Sequence, residues 1–297
     1  MIRLRHILHP VCSAKSLYRK VSSRFRKMAL RLYRRLSELK FRKIQRGQRN
    51  QCWCGGALLP FKWHSSFGVC GTCGCYVNRR PPLLKELRRF YTFDTYWHSR
   101  MKLKGYPTIE NRAANDLSDG RVQRWLDVIK QFGPPKGRVI EVGCAHGVLL
   151  AELVKRGYDC IGVEVDEKTA AWTRQKVGID VRVGIFPDIE LPDCDLFMAY
   201  DVLEHSLYPD RFLRHAARLL KPGGIAVIQT PIDRVGSGQP FPEIFDELFD
   251  DIEHLYIFTK ESINELAENA DLEIIAEARG VIDIDINIFR KKEQGDA

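Results

Sequence analysis

Residues 139–150 have the sequence VIEVGCAHGVLL, and this stretch decides which fold the chain can adopt. It begins with a mostly β-branched apolar run of the kind found in buried parallel strands. Small residues follow at Gly143, Ala145 and Gly147, and the apolar periodicity of residues 148–154 then predicts a helix. A turn without bulky side chains at the carboxyl end of a strand lets a ligand lie against the backbone.

A second short strand is predicted at residues 160–164, and it ends in a carboxylate, Glu164. A carboxylate about twenty residues after a glycine turn can hold the two hydroxyls of a ribose. A dinucleotide-binding turn would have the pattern G-x-G-x-x-G. Counting from Gly143, however, Ala145 and Val148 stand where the second and third glycines would be. The pattern therefore favours a different nucleoside ligand.

The turn has the pattern E-x-G-x-A-x-G, which resembles motif I of the class I S-adenosylmethionine (SAM) methyltransferases. Three later segments resemble further motifs of this family: the fourth strand with D-V-L-E-H, the L-K-P-G-G turn with the fifth strand, and the H-x-x-x-F-T segment of the ubiquinone-type and sugar-modifying branch. These segments are residues 195–205 (DLFMAYDVLEH), 219–231 (LLKPGGIAVIQTP) and 254–259 (HLYIFT). The four motifs stand in the family's order, and the resemblance covers roughly residues 117–290.

The resemblance implies that SAM is the cofactor and that turns at the ends of the strands bind it. The residues expected to contact SAM are Glu141, Gly143, Cys144, Ala145, His146, Gly147, Glu164, Val165, Ile185, Phe186 and Asp201.

Methyl transfer to a neutral nucleophile also requires a general base whose pKa is near neutral. His205 and His254 are the candidates, since both stand near predicted strand ends, and Glu204 directly precedes His205. Two alternatives are open for Glu204 and His205. They either brace the loop without touching the acceptor, or hold a divalent metal as in some relatives of the ubiquinone type.

Strands and helices alternate regularly after residue 117, which predicts a doubly wound, mostly parallel seven-stranded α/β sheet, as in the Rossmann-like SAM methyltransferases. Segment 281–289 alternates isoleucines with Asp283, Asp285 and Asn287, which predicts a half-solvated antiparallel last strand. The predicted strands are residues 138–142, 159–164, 180–184, 194–200, 224–230, 272–278 and 281–289, and the predicted helices are 117–132, 147–156, 167–177, 209–220 and 260–270.

Two features precede the methyltransferase segment. Residues 81–116 are predicted to form a connector that contains a helix at 83–90. Its aromatic stretch 91–97 either covers the mouth of the cofactor site or packs between domains. Residues 51–80 contain a cluster of cysteines, and the tail 291–297 is predicted to be disordered.

The cysteine cluster resembles a zinc ribbon. It has the form C-x-C, a fifteen-residue gap, and then C-x-x-C-G-C. Two close pairs of thiolates can complete a tetrahedral zinc shell, and a closed shell of this kind is structural. The predicted ligands are Cys52, Cys54, Cys70 and Cys73, with Cys75 or His64 as possible replacements, and a set of free thiols is the alternative. Sugar methyltransferases from polysaccharide clusters often carry a cysteine module before the SAM domain.

The charge of the chain is unevenly distributed. The net charge is +9, but sixteen of the 47 Lys and Arg residues and a single acidic residue, Glu38, lie in residues 1–50. Within this basic arm, apolar residues between Leu17 and Leu39 recur every three or four positions, which predicts an amphipathic helix. We consider an anionic membrane surface as its partner, with packing on its own domain, nucleic acid binding and an organelle transit peptide as alternatives.

Composition limits the remaining possibilities. No apolar run approaches the length of a membrane span, and nine cysteines, an odd number that includes a cluster, favour a reducing, cytoplasmic compartment over a disulfide framework. Residues 231–258 combine aromatic rings with carboxylates beyond the ends of the strands. Such a segment suits a sugar, a phenol or a small cationic acceptor and would repel a phosphate backbone.

The sequence therefore predicts a methyltransferase acting on a small molecule or on a glycan, lipid-linked acceptors included, at an O, N or C atom. The basic arm and the cysteine module support an RNA-modifying enzyme as the second hypothesis. A non-catalytic SAM-fold subunit is the third, and the intact Glu141, Gly143, Gly147 and Glu164 argue against it.

The arm generates the first testable prediction. If residues 17–39 lie on a membrane, vesicles rich in anionic lipid should sediment the protein and neutral vesicles should not. Binding should weaken with salt, since each basic residue near the surface contributes about 1 kcal/mol and is screened. Replacing Phe25 and Leu32 by Ser should abolish sedimentation, because the apolar stripe supplies the insertion. RNA binding that survives this double change, with no vesicle binding, would instead identify the arm as a nucleic acid contact.

Overall fold

The structure is a computed structural model that describes residues 44–102, 104–233, 248–281 and 284–292. The amphipathic helix predicted at residues 17–39 lies outside this part of the chain, as do residues 234–247 of the aromatic and acidic segment and residues 293–297 of the tail. Within the described residues, no helix is both long enough and apolar enough to cross a membrane.

A seven-stranded sheet forms the centre of the protein, in the order β11-β12-β8-β7-β4-β5-β6. Every neighbouring pair from β8 to β6 is parallel, whereas β12 runs antiparallel to both β8 and β11. The predicted fold class is therefore confirmed. The strands are β4 (Arg138–Val142), β5 (Asp159–Glu164), β6 (Asp180–Val183), β7 (Cys194–Tyr200), β8 (Leu220–Thr230), β11 (Leu272–Arg279) and β12 (Asp285–Lys291).

Helices cover both faces of this sheet, because successive side chains along each strand point to opposite sides. In β4, Val139 belongs to the core cluster beneath the helices α3, α4 and α5, whereas Ile140 belongs to the cluster beneath α6 and α7. The helices are α3 (Arg121–Phe132), α4 (Val148–Val154), α5 (Glu167–Val177), α6 (Pro209–Leu219) and α7 (Lys260–Glu268). Thr259 begins α7 with a reciprocal capping box, in which Thr259 and Ser262 each bond the other's backbone N–H.

A second sheet contains the cysteine segment and extends into the methyltransferase part of the chain. Its order is β1-β2-β3-β10-β9, with β3 antiparallel to β10 and β10 parallel to β9. The pairing of β3 with β10 makes the cysteine segment continuous with the backbone that follows His254. The strands are β1 (Leu58–Pro60), β2 (Phe67–Cys70), β3 (Tyr76–Asn78), β9 (Ile232–Asp233) and β10 (Tyr256–Thr259).

The segment between β3 and β4 is largely helical. It contains α1 (Leu84–Phe90), a π-helix (Phe93–Met101) and α2 (Ile109–Ser118), followed by α3. The helix predicted at 117–132 is in fact the end of α2 and the whole of α3, because Gly120, at a φ of 90°, turns the chain between them. Only glycine adopts that conformation routinely, so the break is local in origin.

The prediction of a half-solvated last strand is wrong. Asp285 and Asn287 of β12 are 3% and 1% exposed. They share a face of β12 with Phe289, which belongs to the same core cluster as Ile263 and Leu266 of α7. Since β12 lies between β8 and β11 with α7 over this face, its polar side chains are enclosed, and Asn287 donates to the backbone oxygen of Ile228 at 3.4 Å.

Candidate cofactor and acceptor site

The turn after β4 is held by three residues with left-handed backbone conformation. The φ angles of Gly143, Ala145 and Gly147 are 72°, 47° and 64°. A Cβ on Gly143 would lie 2.6 Å from Cγ2 of Val202, and a Cβ on Gly147 would lie 2.5 Å from Cγ2 of Thr173. The backbone conformation and the packing of the turn therefore require glycine at both positions, whether or not a ligand lies against them.

Glu164 stands at the carboxyl end of β5, directly beside this turn. Its Oε2 accepts a hydrogen bond from the Ala145 backbone at 3.2 Å, and its Oε1 accepts one from the Val165 backbone at 2.8 Å. Burial raises the pKa of Glu164 to about 7. Oε1 also accepts from the Asp166 backbone at 3.4 Å. A carboxylate has about four acceptor sites, so Glu164 retains capacity for a ribose hydroxyl.

The remaining residues predicted to contact SAM fall into two groups. The first keeps part of its surface open: Gly143 is exposed, and Ala145, Val165, Ile185 and Asp201 are half-buried. These positions outline a crevice above the carboxyl ends of β4, β5 and β7, which is where open α/β sheets bind ligands.

The second group is enclosed by protein. The Sγ of Cys144 would be only 2.6 Å from a Cβ on Gly162, so this side chain packs against β5. Phe186 packs its ring against those of Phe197 and Phe212, with centroids 5.2 and 4.7 Å away. Glu141 lies inside the sheet, burial raises its pKa to about 8, and its Oε2 has no hydrogen-bond partner among the described residues.

His146 also points away from the crevice. Its Nε2 lies 3.0 Å from Oδ2 of Asp116 on α2, and Asp116 also pairs with Arg112 and Arg121. Although burial opposes ionisation, His146 and Arg112 lower the pKa of Asp116 to about 2. The His146 side chain therefore ties the cofactor turn to α2.

Aromatic residues from the segment before the domain pack beside the cofactor turn, against Ala145, and beside His205. The ring of Tyr91 lies 6.0 Å from that of His205, and the ring of Trp97 lies 6.3 Å from that of His146. Burial, with further contributions from Glu253, Asp201 and Glu164, raises the pKa of Tyr96 well above its usual value. The sequence left open whether these rings cover the cofactor site or pack between domains, and they lie beside both the cofactor turn and His205.

Two histidines stack beside the crevice. The rings of His205, after β7, and His254, before β10, have centroids 5.0 Å apart and planes inclined by 20°. The Nδ1 of His205 lies 2.7 Å from the backbone oxygen of Glu253, and the Nδ1 of His254 lies 2.6 Å from that of Leu248. A carbonyl oxygen can only accept, so each Nδ1 carries a proton. When either ring is neutral, its Nε2 has a free lone pair.

The histidines are neutral at physiological pH. Burial and the neighbouring His254 lower the pKa of His205 to about 4, and burial lowers the pKa of His254 as well. Glu204 is 1% exposed, and its Oε2 accepts from the Thr230 hydroxyl at 2.9 Å. Donor atoms of Glu204, His205 and His254 lie within 4.8 Å of one another. This group can therefore remove a proton from an acceptor or, in the alternative, coordinate a divalent cation.

The cysteines form a second centre. The Sγ atoms of Cys52 and Cys73 are 3.7 Å apart, and those of Cys54 and Cys70 are 3.5 Å apart. Zn–S bonds of about 2.3 Å in a tetrahedron imply sulfur separations of about 3.8 Å. All four sulfurs lie within 4.8 Å of one another, so the donor set fits a zinc ion.

The two other side chains considered as zinc ligands point elsewhere. The Sγ of Cys75 lies 3.4 Å from the backbone oxygen of Ile257, and Cys75 is completely buried. The Nδ1 of His64 accepts from the Ser66 backbone at 3.2 Å, and its ring packs against Phe67. Neither belongs to the group of four sulfurs.

Comparison with known proteins identifies the class of this fold and site. The family model described as a methyltransferase domain matches residues 116–277. A probable S-adenosylmethionine-dependent methyltransferase from Mycolicibacterium smegmatis is 33% identical over 31% of this chain and 37% of its own length. A ubiquinone biosynthesis O-methyltransferase from Bradyrhizobium diazoefficiens is 30% identical over 49% of this chain and 60% of its own length.

The chain thus spans between about a third and two thirds of the length of these curated relatives. An O-methyltransferase family protein from Burkholderia thailandensis shares the fold, with a TM-score of 0.52 and 18% identity over 70% of this chain and 67% of its own. A family 2 O-methyltransferase from Planctomyces limnophilus has a TM-score of 0.53 and 17% identity over 62% and 60% of the two chains. The chain belongs to the methyltransferase domain family.

The position of Glu164 generates a prediction about SAM affinity. Glu164→Ala should weaken SAM binding at least tenfold, about 1.4 kcal/mol, because the ribose loses its carboxylate acceptor. Isothermal titration calorimetry measures the change. Glu167→Ala is the matched control, since that side chain is 68% exposed at the start of α5 and should bind SAM normally. An unchanged affinity of Glu164→Ala would remove this residue from the site.

The raised pKa of Glu164 adds a pH dependence to the same test. The ionised carboxylate is the form with a free acceptor site for the ribose, and its pKa is about 7 before the cofactor binds. Lowering the pH from 8 to 6 should therefore weaken SAM binding by up to about tenfold, by proton linkage. Glu164→Gln cannot titrate, so its affinity should be nearly independent of pH over this range.

Proposed function

We propose that this enzyme transfers the methyl group of SAM to a hydroxyl oxygen of a small molecule or glycan, with the His205–His254 pair as the proton acceptor. The observation that carries the proposal is the stacked pair itself. Each ring carries its proton on Nδ1 and leaves Nε2 to accept. His205 follows β7, which ends at the same edge of the sheet as β5 with Glu164, and its Nε2 lies 3.9 Å from Oε1 of Glu204. The names of the curated relatives, which include ubiquinone biosynthesis O-methyltransferases, support oxygen as the acceptor atom.

The residues of the crevice have separate roles in this mechanism. Glu164 and the backbone of the turn at 143–147 would hold SAM, which supplies an electrophilic methyl carbon on a sulfonium. The histidines bind the acceptor hydroxyl through Nε2 and take its proton as the oxygen becomes nucleophilic. Their Nδ1–H groups keep the rings oriented by donating to Glu253 and Leu248. A low pKa makes an imidazole a weaker base, but it ensures that the receptive neutral form predominates at neutral pH.

The charges near the histidines favour a small acceptor over RNA. Asp201, Glu204, Asp250 and Glu253 all influence the pKa of groups in this site, and a polyanionic phosphate backbone would be repelled by those that are ionised. An uncharged sugar or phenol would not. An RNA-modifying enzyme therefore ranks second, and its support comes from the basic arm and the cysteine module.

We also propose that the arm at residues 17–39 brings the enzyme to an anionic membrane surface, where a lipid-linked acceptor would be concentrated. The support is the amphipathic pattern of this segment together with the sixteen basic residues of residues 1–50. The vesicle experiment described above tests this proposal separately from catalysis.

The role of the histidines can be tested by substitution. His205→Gln and His254→Gln should each lower kcat by about 10²–10⁴, the usual contribution of a general base, while SAM affinity changes by less than about threefold. Turnover is measured as S-adenosylhomocysteine release with a panel of phenols, catechols, sugars and nucleotide sugars. His98→Gln is the control, because that side chain is half exposed on the π-helix.

Two outcomes would change this assignment. Wild-type rates in both variants would exclude the pair as the base. Activity that disappears after removal of divalent cations and returns on adding magnesium or manganese would instead assign Glu204, His205 and His254 to a metal.

We propose further that Cys52, Cys54, Cys70 and Cys73 hold one structural zinc ion. Protein purified under reducing conditions should contain about one zinc per chain by metal analysis. Cys73→Ser should lose the zinc and lower the melting temperature, because metal binding contributes directly to folding. Cys75→Ser and Cys160→Ser are matched controls that should keep it, since Cys75 faces Ile257 and Cys160 lies in β5. Wild-type protein without zinc would contradict the proposal.

A further inference from the structure

The loop of residues 250–255, here called the His254 loop, supplies both the second histidine and the oxygen that orients the first. The backbone N–H of Leu255 donates to the backbone oxygen of Glu204 at 2.8 Å. This bond joins the loop to the turn that carries His205. Glu253 accepts from His205 Nδ1 at 2.7 Å through its backbone oxygen. The position of one peptide group therefore determines both the tautomer and the orientation of His205.

The side chain of Glu253 is fixed by the π-helix. Arg100 reaches Glu253 with Nε and Asp250 with Nη2, and its side chain is 3% exposed. Lys104 lies 3.2 Å from the other carboxylate oxygen of Glu253, which is itself 5% exposed. Although burial alone would raise the pKa of Glu253, Lys104 and Arg100 lower it well below its usual value. The carboxylate is therefore charged, buried and paired, and it cannot leave Arg100 without a large desolvation cost.

Other contacts hold the far side of the same loop. The amide of Asn78 on β3 donates to the backbone oxygens of Asp251 and His254, at 2.9 and 3.2 Å. Arg46 and Ser66 bond the side chain of Asp251, at 3.2 and 2.7 Å. The loop is thus anchored to the cysteine sheet independently of Arg100, which contacts the part nearest His205.

The π-helix also borders the cofactor turn. Trp97 lies against His146, three residues before Arg100, and Asp94 pairs with Lys168 on α5 at 2.6 Å. One helix therefore contacts the cofactor side through Trp97 and the acceptor side through Arg100. π-Helical segments are rare and occur frequently at functional sites.

We propose that Arg100 and Glu253 are positioning residues: Arg100 fixes Glu253 so that its backbone oxygen holds His205 as the Nδ1–H tautomer, with Nε2 directed at the acceptor. The proposal rests on the proposed function, since it assigns a role to the residues behind the base. It makes the π-helix a part of the catalytic site, because the base is correctly oriented only when this helix is in place.

The test uses the full chain labelled with ¹⁵N-histidine. Long-range ¹⁵N–¹H correlation spectra distinguish the two neutral tautomers, and the His205→Gln spectrum assigns the His205 signals. Wild-type His205 should be a single Nδ1–H tautomer. In Arg100→Gln it should become a mixture, while the SAM dissociation constant changes by less than about twofold. With an acceptor found in the panel described above, kcat should fall at least about tenfold and the acceptor KM should change less than threefold.

Three further variants make the result specific. Arg100→Gln leaves Glu253 buried and charged, so the double variant Arg100→Gln/Glu253→Gln removes that charge and protects the fold. The double variant should still show mixed tautomers, because the guanidinium of Arg100 is missing. Arg100→Lys retains one ion pair and should restore part of the lost kcat. Asp94→Asn removes the exposed ion pair between the π-helix and Lys168, and it should leave the His205 spectrum unchanged.

A single Nδ1–H tautomer with wild-type kcat in both the single and the double variant would overturn the proposal. The tautomer spectra are recorded without an acceptor substrate. They therefore test the positioning role of Arg100 even if no member of the panel is methylated. Failure of methyl transfer in the wild type would contradict the proposed function alone.

Discussion

The pairing of β3 with β10 is the contact on which the arrangement of this protein depends. Tyr256 and Ile257 pair with Val77 and Tyr76, residues about 180 positions away. This short ladder makes one sheet of the cysteine segment and the strand that directly follows His254. The cysteine segment is therefore not a separate appendage. Its Asn78 donates to the backbone oxygens of Asp251 and His254.

The central sheet could be predicted from sequence because its signals are local. Strand and helix alternate along the chain, and a glycine turn followed by Glu164 marks where a nucleoside binds. The predicted bounds of β5, β7 and α5 coincide with those observed. Glu164 beside the turn also follows from topology, because neighbouring parallel strands end at the same edge of the sheet.

The structural features that could not be predicted from sequence depend on contacts between residues distant in the chain. The alternation of β12 correctly indicates two faces, but it contains no information that α7 would cover the polar one. The pairing of β3 with β10 has no local signature, so the cysteine segment looked like a separate module. His146 belongs to the motif at the cofactor turn, yet its partner Asp116 stands thirty residues earlier on α2. Sequence spacing alone cannot show which way such a side chain points.

The pKa values of the acceptor-site residues also follow from burial and from neighbouring charges. Burial raises the pKa of Glu204 well above its usual value and lowers that of His205 to about 4, so both are neutral, whereas Lys104 and Arg100 keep Glu253 ionised. Groups with pKa values displaced in opposite directions are typical of sites that move protons. The ionised Glu253 carboxylate belongs to the residue whose backbone oxygen holds His205, where its charge would favour an imidazolium. The rings therefore stay receptive before the reaction, and the charge that forms on them has a partner already in place.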